Sequence, residues 1–123
     1  MRILVIGAGE VGSSIAANLS QSHEVVVVDA DPDRVESLTY ENDVLAIHGD
    51  GTSMEVLEEA GIQQTELVIA STDEDETNLV ACSTAKVLSD AFTVSRVRNT
   101  AYLKTWNRSE TVFGVDFMVC TNL

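Results

Sequence analysis

The chain has 123 residues, 45% of them hydrophobic, which suits one domain with a single core and excludes a disordered segment. Twenty acidic residues face seven basic ones, and the net charge of −13 excludes bulk electrostatic binding to nucleic acid or to an anionic lipid surface. No apolar run approaches the ~18 residues a membrane span needs, so direct membrane insertion is not expected.

The predicted elements alternate strand and helix along the chain. RILVI (2–6) is a short apolar strand that stops at glycines, and EVGSSIAANLSQ follows as a helix with Val11, Ile15 and Leu19 on its inner stripe. EVVVVDAD (24–31) is continuously apolar from Val25 to Val28, as in a strand buried on both faces of a parallel sheet. Asp31-Pro32 then marks a helix start, with Val35 and Leu38 facing inward. DVLAIH (43–48) is a third strand; Thr52-Ser53-Met54-Glu55 is a capping box, and Gly61-Ile62 closes that helix. ELVIA (66–70) is the fourth strand, and Thr72 caps a long helix from Asp73 to about Ser89. FTVSRV (92–97) and VDFMVC (115–120) are the fifth and sixth. The expected fold class is α/β: a three-layer Rossmann fold around a doubly wound, parallel, six-stranded sheet.

The stretch VIGAGEVGSSIA (5–16) contains Gly7-Ala8-Gly9-Glu10-Val11-Gly12, a GxGxxG pattern between a strand and a helix. Asp29 ends the second strand 22 residues after Gly7, close to the ~20 expected of a ribose-binding carboxylate. Gly7 permits the turn off the strand, Gly9 leaves room for a pyrophosphate, and Gly12 allows close packing. The free N–H groups from Gly9 to Gly12 and the helix dipole then attract phosphate. A tight turn with no ligand is the rival reading of this loop. Asp29 can accept both ribose hydroxyls and repels a 2′-phosphate, and no arginine adjoins it in sequence, so NAD(H) or an adenine nucleotide is favoured over NADP(H). Asp31 reads as a helix cap, and neighbouring Ala30 as part of the ribose edge.

Further candidates lie at the carboxyl ends of later strands, where open α/β sheets bind ligands. Asp50, Gly51 and Thr52 in HGDGT (48–52) are placed to meet adenine, although Asp50 alone also reads as a turn residue. His48 and His23 read as a strand-end and an exposed loop histidine, and Cys82 and Cys120 as reduced, small packing residues. In STDEDET (71–77) the four acids Asp73–Glu76 suit the first turn of a helix, while Ser71, Thr72 and Asp73 lie on the ligand edge. Arg96 and Arg98 are placed either to reach phosphate or to pair with the surrounding carboxylates. The acidic excess reads as a solvated surface of the high-salt, halophilic kind.

GAGEVG, the Asp29 strand end, IHGDGT, LVIASTDEDETNLVA and RVRN occur in an order and spacing that resembles TrkA-type potassium uptake regulators, specifically their RCK (KTN) N-terminal nucleotide-binding domain. The resemblance covers nearly all of residues 1–123, with the C-terminal RCK lobe absent from this chain. It implies a cytoplasmic regulatory subunit, held at the inner face of the membrane by an integral-membrane potassium transporter. It also implies a homodimer or larger ring whose arrangement responds to NAD(H) or to ATP/ADP. Carried over by position, Gly7–Gly12 hold the phosphates, Asp29 the adenosine ribose, Asp50 and Gly51 the adenine, and Arg96 or Arg98 the phosphates again. Some relatives have arginine where this chain has Glu10 and use it on a γ-phosphate, so strong ATP selectivity is not expected. The rivals are an NAD-dependent dehydrogenase half, which needs an acid or base and a substrate domain not evident here, and a domain that only mediates assembly.

Overall fold

The structure, a computed structural model, describes residues 1–41 and 44–121. In chain order it consists of β1 (Arg2–Ile6), α1 (Glu10–Leu19), β2 (Glu24–Asp29), α2 (Pro32–Glu41), β3 (Leu45–His48), α3 (Met54–Glu59), β4 (Leu67–Ala70), α4 (Asp75–Leu88), β5 (Phe92–Val97), α5 (Thr100–Arg108) and β6 (Phe117–Cys120). All strand pairs are parallel and the sheet order is β3-β2-β1-β4-β5-β6. This is the doubly wound Rossmann-type sheet expected from the strand–helix alternation.

The continuous apolar run of β2 is explained by burial on both faces. Val26 and Val28 pack with Leu4, Ile6, Leu57 and Val68 on one side; Val25 and Val27 pack with Ile3, Val5, Ala16 and Leu38 on the other. Each such side chain contributes roughly 1.5–3 kcal/mol of burial, so the centre of the sheet dominates the stability of the fold.

Several boundaries differ from the sequence expectation for local reasons. Val11 is 42% exposed and outside the core. The first turn of α1 presses Gly12 inward instead, and Ala16, Ile15 and Leu19 continue the buried stripe. The third strand is shorter than expected, and Asp43 lies outside the described residues. The cap of α3 is Ser53, whose Oγ accepts the Val56 N–H, because Thr52 is engaged elsewhere. Helix α4 begins at Asp75 rather than Asp73, so only Asp75 and Glu76 of the four acids occupy its first turn.

A fifth helix, α5, links β5 to β6, capped by Asn99, whose side chain accepts the Ala101 N–H. The sequence expectation omits it, although Tyr102, Leu103 and Trp106 fall on one helical stripe of TAYLKTWNR. Trp106 anchors it: buried, it donates its Nε1–H to the Val115 carbonyl at 2.9 Å and meets Phe117 edge-on. Cys82 is buried in the same cluster, and burial pushes its thiol up to about 12. Among the described residues no helix is long and apolar enough to cross a membrane.

Asp116, just before β6, ties this half together by accepting the Thr93 N–H and pairing with Lys86 of α4. Burial by itself raises its carboxyl, but the hydrogen bonds from Lys86 and Thr93 and the lysine charge outweigh that and hold it below its ordinary value. A depressed folded-state pKa stabilises the fold above the unfolded value and is lost as pH falls through the folded one. Because the pair is partly exposed, the expected acid-side loss is about 1 kcal/mol below about pH 4. Denaturant titrations of the native chain and of Asp116→Asn should show that loss in the first and a flatter acid limb in the second; parallel limbs would contradict the assignment.

Candidate functional site

The chain leaves β1 at Gly7, whose φ of +110° is a conformation side chains rarely adopt. A Cβ there would also stand 2.9 Å from the backbone of Ser71 and Thr72, so the ends of β1 and β4 lie against one another. One turn on, a Cβ at Gly12 would stand 1.9 Å from the Gly7 carbonyl oxygen, so α1 rests directly on the strand turn. Gly9 is different. A Cβ there would clash with nothing and would meet the Arg34 guanidinium at ordinary contact distance, 3.6 Å away.

Gly9 is also the N-cap of α1 and offers no side-chain hydrogen bond; Ser13 N–H to Gly9 O, at 2.8 Å, opens the helical ladder. The main-chain N–H groups of the turn before it stand outside that ladder. Glu10 and Val11 are exposed on the same turn.

Asp29 closes β2 beside this turn and is buried. Its Oδ2 accepts the Ala8 N–H at 2.5 Å and its Oδ1 the Asp31 N–H at 2.7 Å, which fixes the carboxylate at the mouth of the loop. Asp31 in turn accepts the Asp33 N–H, the cap role expected of it. The expectation that no arginine stands beside Asp29 is corrected. The first turn of α2 brings Arg34 back over the strand end, Nη1 3.8 Å from Asp29 and Nε 3.8 Å from Asp31. Its spacing, five residues past Asp29 and two past the helix-starting Pro32, was the available signal.

Beyond β3, the Asp50 Oδ1 accepts both the N–H and the hydroxyl of Thr52, at 2.9 and 2.7 Å. These bonds hold the Asp50 carboxyl below its ordinary range, the backbone one most. They also explain why Thr52 does not cap α3. His48 stands at the strand end with Nε2 3.0 Å from the Ala30 carbonyl.

The segment after β4 is organised by Asn78, a residue the sequence reading did not single out. Fully buried, it accepts the Thr72 N–H and hydroxyl at 2.9 and 2.6 Å and donates to the carbonyls of Thr72 and Arg96 at 3.2 and 2.9 Å. Thr72 therefore serves Asn78 rather than capping α4. Arg96 donates to the Thr72 carbonyl at 3.2 Å and faces Asp73 at 3.4 Å; Arg98 reaches the Asp73 carbonyl. Of the two readings of these arginines, the observed geometry is the one in which they engage the neighbouring acidic segment. Ser71 is 3% exposed, and its hydroxyl has no hydrogen-bond partner among the described residues.

These parts converge. Asp29, Ala30, Asp50, Gly51, Thr72 and Asp73 line one cleft at the carboxyl edge of the sheet, together with Arg34 and over a floor of Ile6 and Val28. The cleft opens where the connections from β1 and β4 diverge to opposite sides, the usual ligand position in such sheets. Two features fit a sugar bound to a diphosphate: the main-chain N–H groups outside the helical ladder after Gly9, and a rigid carboxylate at Asp29. The glycine turn from Gly7 to Gly12, Thr52, Ser71, Arg96 and Arg98 do not line it.

Comparison with known proteins shows the family and the fold. A family model described as the TrkA-N domain matches residues 3–121. The Trk system potassium uptake protein trkA homolog 1 of Methanosarcina mazei is 39% identical over the whole of this chain, and the TrkA homolog of Archaeoglobus fulgidus 36%. The chain spans only 32% and 28% of those two proteins. Among solved structures, the GsuK channel bound to NAD superposes with a TM-score of 0.82 at 21% identity, over 96% of this chain and 21% of the channel. GsuK bound to ADP gives the same score at the same identity, over 97% of this chain and 31% of the other. The glycine turn, the strand-end aspartate and the full-length family match lead to one conclusion: this chain belongs to the TrkA-N domain family.

Proposed function

We propose that this domain is the nucleotide-binding half of a regulator of potassium uptake, and that it senses NAD(H), with ADP or ATP as alternative ligands. The observation that carries the reading is Asp29, held rigid by two main-chain donors beside an uncapped glycine turn in a TrkA-N domain. In this reading Asp29 accepts the adenosine ribose hydroxyls, and the amides of Gly9, Glu10, Val11 and Gly12 face the diphosphate beside Gly7 and Ala8. Ala30, Asp50, Gly51 and Thr52 border the adenine side, and Ser71, Thr72 and Asp73 the distal side. Arg96 and Arg98 reach the phosphates only by releasing Asp73. The names of the relatives, all potassium uptake proteins, support a membrane transporter as partner and a cytoplasmic position beneath it. GsuK with NAD and with ADP supports the ligand class.

A nucleotide regulates such a module only by binding two domain arrangements with different affinity. We therefore expect a homodimer or larger ring of this domain whose small-angle scattering profile changes with saturating NADH; superposable profiles would defeat regulation by this domain alone. The competing dehydrogenase reading has its own readout. Sustained NADH oxidation with a panel of small carbonyl compounds would favour it over a sensor.

A further inference from the structure

We propose that Arg34 is the diphosphate clamp of this site, the wall opposite the amides of α1, an inference that rests on the nucleotide reading above. Its guanidinium is the group a side chain at Gly9 would first meet, Nη1 at 3.6 Å and Cζ at 3.9 Å. It therefore overlooks the turn whose main-chain N–H groups stand outside the helical ladder. Arg34 also borders both the Asp29–Asp50 cleft and the adjoining hollow beside Ala8 and Ser13, so it stands where the two meet.

Charge gives the second reason. The cleft wall carries Asp29, Asp50, Asp73 and Glu74, and among the described residues that line it Arg34 is the one cation. A diphosphate entering such a wall meets several like charges, and one guanidinium able to bind it bidentately offsets them. Arg96, by contrast, is 12% exposed and already bonded to Thr72.

The third reason is that Arg34 is loosely held. Its separations of 3.8 Å from Asp29 and Asp31 exceed hydrogen-bond length, and its side chain is 47% exposed. It is free to exchange two weak ion pairs for charge-assisted hydrogen bonds to phosphate oxygens. Departure of the guanidinium also uncovers the Asp29 carboxylate, which Ala8 and Asp31 keep in place, for a sugar.

The test compares ADP, adenosine, NADH and NADPH by calorimetric titration of the native chain, Arg34→Gln and Arg34→Lys, with circular dichroism to confirm that each variant folds. The clamp predicts that Arg34→Gln weakens ADP about tenfold, leaves adenosine unchanged and makes ADP affinity less dependent on salt, with Arg34→Lys recovering part of the loss. Equal weakening of adenosine and ADP would overturn it in favour of a base or sugar contact. Weakening of NADPH alone would overturn it in favour of a 2′-phosphate contact. ADP binding that Arg34→Gln leaves intact defeats the clamp only, whereas a native chain that binds neither ADP nor NADH in the same titration defeats the nucleotide reading as well.

Discussion

Gly12→Ala is expected to destabilise the domain by more than about 3 kcal/mol, beyond the usual range for overpacking, and so to remove much of a typical stability margin. The new Cβ would stand 1.9 Å from the Gly7 carbonyl oxygen and 2.8 Å from its carbon, both main-chain atoms. Neither partner has room to retreat. Gly7 donates its N–H to Val28 at 2.8 Å and lies against the Ser71–Thr72 backbone, and α1 is tied to β1 and β2 through Ala16 and Ile15. Gly9→Ala is the informative control, because its Cβ meets only the Arg34 guanidinium, at an ordinary 3.6 Å. It should unfold at nearly the native denaturant midpoint while binding nucleotide more weakly. A Gly12→Ala midpoint equal to the native one would show that the helix and turn are not packed as described.

Asp29→Ala should affect both stability and binding. Removal of the carboxylate leaves the Ala8 and Asp31 N–H groups without their acceptor in a buried setting, at a cost of about 2 kcal/mol. If Asp29 holds a ribose, NADH affinity should also fall roughly thirtyfold, the size of a lost pair of charge-assisted hydrogen bonds. Asp29→Asn separates the two effects. It retains an acceptor for one main-chain donor, so it should recover part of the stability and less of the affinity. Titration calorimetry measures the second quantity and chemical denaturation the first. An unchanged NADH affinity in a folded Asp29→Ala chain would remove the ribose assignment.

The sheet was legible in the sequence because its signals are collective. A run such as Val25–Val28 has few ways to be buried other than in the middle of a covered parallel sheet, and Asp31-Pro32 constrains the backbone on its own. The glycine turn was legible for the same reason, since Gly7 and Gly12 answer main-chain demands. What stayed hidden depends on which of several polar partners a side chain takes. Thr72 and Thr52 each had a plausible capping role; Asn78 and Asp50, nearby in space, took them instead. Arg34 was overlooked because adjacency in sequence was the criterion, while one helical turn carried it back to Asp29. Val11 fitted the helical period and lost its place to the contact between Gly12 and Gly7.

The most direct measurement is a crystal of this chain grown with millimolar NADH. The expected map has the diphosphate on the amides of Gly9 to Gly12, Arg34 turned toward it and the adenosine ribose on Asp29. A cleft that stays empty, or a cofactor lodged away from β1 and β2, would contradict the account.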